Sequence, residues 1–283
     1  MLMQKKSLKP LLTVAFAAML LLLSQTVAGV IVILLHSGGL IQPDVSFEEL
    51  DRLMLEELTA RQTEVLLISY GIVVLVLLAV AARKKRRFLE YTGLSRPAGI
   101  SLIVPAAVAG LAASLWSGIA IGLFPWPQSW IDSYAEAASA LESASPVLDA
   151  FAVCLCGPII EEILFRGLIY DAFCAMIPAG LAVIFQGVLF GSVHGSNLWM
   201  VYAGLMGCLL GYVRKRTGSL WPTIALHIVY NSASYLWDPL FEWTGESDAV
   251  VAAFFVGGAV ILLAAVSVIQ RRTVPPQPPK PEE

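Results

Sequence analysis

Apolar positions in this chain fall in long, nearly unbroken runs separated by short charged stretches. Each run is roughly 16–25 residues, about long enough to cross ~30 Å of hydrocarbon as a helix. They predict helices near 11–35, 65–82, 99–123, 147–166, 178–195, 198–213, 219–236 and 249–270. The expected fold is therefore all-α: a polytopic membrane protein with about eight transmembrane helices.

The first run follows Lys5, Lys6 and Lys9, as the core of a signal peptide would, but it continues to Leu35. At about 25 residues it exceeds the roughly 7–15 of a cleaved leader, so a retained first helix is expected. The stretch 44–64 sets Leu50, Leu53, Leu55 and Leu58 among acidic residues, and reads equally as an amphipathic surface helix or a solvated connector. Residues 1–273 read as a single transmembrane domain. The proline-rich tail, 274–283, cannot build a core and is expected to be disordered.

Composition supports the membrane reading. The chain has 283 residues, 58% of them hydrophobic and 14% charged, where a soluble domain carries about 25% charged residues. The formal net charge of -3 says little; its distribution says more. Basic clusters at Lys5, Lys6 and Lys9, at Arg83–Arg87, at Arg214–Arg216 and at Arg271 and Arg272 occupy alternate loops. The intervening loops are acidic, with Asp44, Glu48, Glu49, Asp51, Glu56, Glu57 and Glu64 in one and Asp238, Glu242, Glu246 and Asp248 in another. By the positive-inside rule this places the protein in the cell membrane as a multi-pass chain with both termini cytoplasmic. Cys154, Cys156, Cys174 and Cys208 lie in or beside apolar runs and read as free thiols packed like small hydrophobes. The tryptophans mostly mark helix ends, where an interfacial belt is expected.

Ionisable side chains inside transmembrane helices cost about 2.5–3.5 kcal/mol each on insertion scales, so they point to function. They occur here in Glu161-Glu162-Ile163-Leu164-Phe165-Arg166, in Phe190-Gly191-Ser192-Val193-His194 and in His227-Ile228-Val229-Tyr230-Asn231. On a helix Glu162 and Arg166 are i,i+4 neighbours that can offset each other's burial, which leaves Glu161 turned toward another face. His227 and Asn231 share a face for the same reason. Gly187, Gly191 and Gly195, with Gly207 and Gly211 on the next helix, form small-residue stripes that let backbones approach closely. Such an approach would gather a carboxylate, two imidazoles and an amide into one polar cavity. That set suits hydrolysis, with a carboxylate deprotonating water while imidazole and amide stabilise an oxyanion.

These three motifs in order, Glu-Glu-x-x-x-Arg, Phe-x-x-x-His and His-x-x-x-Asn, resemble the CPBP (Abi) family of bacterial CAAX prenyl proteases and bacteriocin-processing or immunity proteins. The likeness covers about residues 145–236. It implies an eight-helix membrane endopeptidase acting on a membrane-associated peptide or protein. In that scheme Glu161 activates water and His194 assists it, His227 and Asn231 form the oxyanion site, and Glu162 and Arg166 orient the first motif. No cofactor is favoured and no nucleic acid is expected. Zinc held by Glu161, His194 and His227, with or without Asn231, stays open, since zinc accepts imidazole and carboxylate. A non-enzymatic carrier or immunity protein would also place Glu and His at membrane depth.

One expectation conflicts with the site. Linear threading puts Glu161 near the cytoplasmic end of the fourth helix and His194 near the outer end of the fifth, about 15 Å apart in depth. Gly157-Pro158 is the expected place for a helix break that would reconcile them.

Overall fold

The computed structural model describes residues 8–36, 46–141, 143, 145–245 and 247–273, and every regular element among them is helical. The tail 274–283, together with Lys5, Lys6, Asp44 and Glu246, lies outside the described residues. The elements are α1 (Lys9–His36), α2 (Phe47–Ala60), α3 (Gln62–Arg83), α4 (Phe88–Thr92), α5 (Ile100–Leu123) and α6 (Gln128–Ser139). The segments Pro146–Ala150, Phe151–Cys156, Gly157–Glu161, Glu162–Ile169 and Tyr170–Cys174 then run on without a break as one rod, α7. It is followed by α8 (Ala179–Ser192), α9 (Asn197–Thr217), α10 (Trp221–Thr244) and α11 (Asp248–Arg272).

All eight predicted segments are helical, and among the described residues four helices, α1, α3, α5 and α11, are long and apolar enough to cross a membrane. The other four, α7 to α10, carry the motifs and the Arg214–Arg216 cluster, and α8 is apolar but shorter. Two helices were absent from the expectation, α4 and α6. In α6 the half-buried positions are Trp130, Ser133, Tyr134, Ala137 and Ala138, an i, i+3, i+4, i+7, i+8 pattern written largely in Ala and Ser and therefore faint. The 44–64 stretch resolves as a helix: Ser46 caps α2 through Glu49 N at 3.2 Å, and Arg52 bonds Glu49 and Glu56 along its exposed side.

The basic clusters converge on one end of the bundle. Lys9 and Lys84 line one cavity with Asp171; Arg214 bonds Asp171; Arg216 bonds Gln270 O and Thr273 O; Arg272 bonds Ser101 O. At the other end His36 meets Glu64 at 3.4 Å, and Thr63 donates to Asp149. The alternation of charge along the chain is thus a segregation of charge in space.

The expected break at Gly157-Pro158 does not occur. Every residue at the junctions of α7 keeps right-handed helical angles, and the backbone widens into π-helical turns at Phe151–Cys156 and Glu162–Ile169 instead. Proline within a helix lacks an N–H and crowds the carbonyl four residues back. The wider i→i+5 register, seen in Gly157 N–H donating to Ala152 O, relieves that crowding without ending the helix.

The candidate active site

The continuous α7 also removes the depth conflict. The rod ends at Cys174 rather than near residue 166, so Glu161 stands near its middle. It lies ten residues from Asp171, about 15 Å above the basic end at 1.5 Å per residue. Helix α8 starts at that same end, where a Cβ on Gly180 would lie 3.8 Å from Lys215 Nζ, and is only 14 residues long. His194 follows in a turn just beyond it, bent back by Gly195 at φ +81°. By the same count α8 is about 20 Å long, so its end stands roughly 5 Å beyond Glu161 in depth rather than about 15 Å, and Glu161 and His227 both lie near enough to His194 to interact with it electrostatically.

The glycine seam works as expected, with one replacement. A Cβ on Gly187 would meet Cys208 Sγ at 2.5 Å and Gly204 O at 3.1 Å, and one on Gly191 would collide with Met200 O and come within 2.9 Å of Gly204 Cα. Gly207 faces Gly187 across the same contact, where a Cβ would come within 2.9 Å of Gly187 Cα, and Gly211 abuts the Gln186 amide. Gly195 has nothing within 4 Å of its Cβ position; it serves the turn, and Gly204 takes its place in the seam.

Glu162 and Arg166 are fully buried and paired, Arg166 Nη1 donating to Glu162 Oε1 at 2.9 Å. Arg166 Nη2 continues to Gly207 O at 3.1 Å, the carbonyl that also accepts from Gln186 Nε2 at 2.7 Å, and its guanidinium lies 4.3 Å over the Phe190 ring. One arginine thereby ties α7, α8 and α9 together. The same Glu162 oxygen accepts from His227 Nδ1 at 3.0 Å, which leaves His227 Nε2 facing Glu161 Oε2 at 3.7 Å. His227 therefore stands between two adjacent glutamates with opposite surroundings: Glu162 is 0% exposed, whereas the Glu161 side chain keeps 21%.

His194 Nδ1 lies 2.7 Å from Phe190 O. A carbonyl only accepts, so this nitrogen carries the proton and the neutral ring offers its lone pair at Nε2. Both histidines thus spend Nδ1 on the scaffold. The Phe190 ring fills the space between them, edge-on to His194 at 4.7 Å and to His227 at 5.8 Å. Beyond His194, Trp199 stacks on Tyr202, and Tyr134 of α6 meets both rings edge-on.

Asn231, expected in the oxyanion site, also makes a contact between helices. Its Nδ2 donates to Val153 O at 2.8 Å. In the π register that carbonyl would take the N–H of residue 158, and Pro158 has none. The Asn231 amide supplies the missing donor and docks α10 onto α7, which leaves its second N–H for the site. Tyr70 of α3, buried, reaches the same region: Gly157, one helical turn before Glu161, leaves room for its hydroxyl, which a Cβ would approach to 3.0 Å. Nothing in the sequence around Tyr70 distinguishes it from any other aromatic residue in an apolar run.

Among the described residues no group of three or more His, Cys, Asp or Glu side chains is arranged to hold a metal ion. The donor set is nonetheless compatible with zinc. A histidine whose Nδ1 is held by a carboxylate or carbonyl is the usual preparation of Nε2 for ligation.

Residues 143–233 match the family described as Type II CAAX prenyl endopeptidase Rce1-like. A curated relative from Bacillus subtilis (strain 168), named "Putative membrane peptidase YdiL", is 32% identical over 76 residues. That alignment covers 27% of this chain and 31% of the relative, so under a third of the relative's length is matched. No solved structure matches. The matched segment holds Glu161, Glu162, Arg166, His194, His227 and Asn231, so the similarity to the Rce1-like family falls on the part of the chain that carries all three motifs.

Proposed function

We propose that the chain is an intramembrane endopeptidase that hydrolyses a peptide bond of a membrane-associated substrate. The observation that carries this reading is His227 held by buried Glu162 at Nδ1 while Nε2 faces the accessible Glu161, with His194 alongside. Glu161 as carboxylate accepts a proton from a water positioned between it and His194 Nε2. The resulting hydroxide attacks the scissile carbonyl. His227, when protonated, donates through Nε2, and Asn231 donates through its second amide hydrogen, so both can stabilise the oxyanion. The proton on Glu161 passes to the departing amine, closing the balance. Glu162 and Arg166 fix the position of His227 and touch no substrate.

The prepared Nε2 atoms favour one second reading, a zinc endopeptidase with Glu161, His194 and His227 as ligands. Zinc would there polarise the carbonyl and acidify a water. The deciding experiment compares purified wild type with Glu161→Gln on a peptide library in detergent, with metal content assayed. Cleavage that survives chelation and vanishes in Glu161→Gln supports the metal-free scheme. Loss on chelation with recovery on zinc addition reassigns the three residues as ligands. Wild type without any turnover favours a binding or transport protein.

The basic end of the bundle is assigned to the cytoplasm by the positive-inside rule. Cysteine labelling should find positions 83–96 and 214–217 on one side and 47–61 and 237–245 on the other.

A further inference from the structure

A cavity of about 480 Å³ opens at the basic end, away from Glu161 and the histidines. Its walls include Lys9, Lys84, Arg86 and Arg96 against only two carboxylates, Glu90 and Asp171. Asp171 is already held by Arg214 through both oxygens, at 2.9 and 3.1 Å, and also feels Arg96, so Lys84, Arg86 and Arg96 outnumber the two lining carboxylates even with Lys9 left out of the count. Arg86 gives one N–H to Glu90 O at 3.1 Å, and a guanidinium has five to give. Thr13 and Ser95 add hydroxyls to the lining.

Position gives the ligand class. Lys9 opens α1 and Lys84 caps α3, two helices long enough to span a membrane, so the cavity lies where such helices leave the hydrocarbon. Directly beside Lys9 and Thr13, Leu8, Leu11 and Leu12 are exposed, offering apolar surface next to the cationic one. The volume is that of a small-molecule site, larger than a free phosphate fills. Basic pockets between membrane helices suit anionic headgroups, and exposed leucines suit acyl chains.

We propose that this cavity binds the phosphodiester headgroup of an anionic phospholipid, with the acyl chains running along the start of α1. The test uses the full chain in detergent, titrated with dihexanoyl phosphatidylglycerol while thermal unfolding and native mass are followed. A saturable rise in Tm with a retained lipid adduct is expected, and neither dihexanoyl phosphatidylcholine nor inorganic phosphate should reproduce it. Lys84→Gln and Arg96→Gln should each weaken the apparent affinity about fivefold. Arg271→Gln, which removes an exposed charge outside the cavity, should leave it unchanged. If Arg96→Gln does not fold, Lys84→Gln with rescue by Lys84→Arg carries the same comparison. An equal response to phosphatidylcholine, or equal weakening by Arg271→Gln, overturns the proposal. A phosphate response matching that of the lipid overturns it in favour of a free-anion site.

Discussion

Helix α11 and the second π-helical segment of α7 are built on opposite plans. Over 25 residues α11 buries only Gly258, Ala265 and Ile269, and turns valines and leucines outward. Over eight residues Glu162–Ile169 buries every side chain, two of them charged. In water the first would be the anomaly; in hydrocarbon exposed leucine costs nothing, and buried charge is tolerated because it is paired and hydrogen-bonded. Helix α11 is thus shaped by lipid, and the Glu162–Ile169 turns by contacts with neighbouring helices. Substitutions in the two regions should differ in kind.

The largest effect is expected at the boundary between them. Glu161→Gln and His194→Ala should each cut peptide cleavage by about 10²–10⁴-fold, the range of a positioned acid or base. Their thermal unfolding should stay near wild type, because Glu161 is accessible and neither residue makes the Arg166 links. Turnover near wild type in Glu161→Gln would remove the water-activating role.

Arg166→Ala should instead cost about 3–5 kcal/mol of stability, by leaving the buried Glu162 charge without its cation. Adding Glu162→Gln should restore part of that loss without restoring turnover, since His227 would still lack its carboxylate. A double-mutant cycle by unfolding in detergent reads the coupling directly. Additive losses would mean that the pair does not act as a unit.

Asn231→Ala tests two roles together. The lost Val153 contact should cost about 1–3 kcal/mol, and the lost oxyanion donor about 10²-fold in kcat with KM little changed. A stability loss with kcat intact would leave Asn231 as a strut for the π turn. Tyr70→Phe removes only a hydroxyl beside Gly157, and a reduced kcat with unchanged unfolding would bring α3 into the site.

The smallest pair of effects compares two glycines. Gly191→Ala puts a methyl group against Met200 O and Gly204, and should destabilise by about 1–3 kcal/mol through overpacking. On α11 the Cβ position of Gly257 meets nothing within 4 Å, so Gly257→Ala should be neutral or stabilise by up to about 1 kcal/mol. Similar losses at both positions would show that α11 is packed against a partner.

The sequence alone determined the all-helical class, the eight helical segments, the motif residues and the opposition of basic and acidic loops. Each of these depends on local chemistry: run length, charge and i,i+4 spacing act within one helix and need no partner. The Glu162–Arg166 pair was legible for that reason. What the tertiary structure decided depends on registers between helices. Whether Pro158 breaks α7 turned on π turns that relieve the crowding and on Asn231, 73 positions later, donating to Val153 O. The replacement of Gly195 by Gly204 in the glycine seam turned on which face of α9 meets α8. The adjacent glutamates show the division most simply, since in sequence they are alike, and only the placing of His227, Arg166 and Gly207 O around one of them made Glu162 a buried strut and left Glu161 within reach of water.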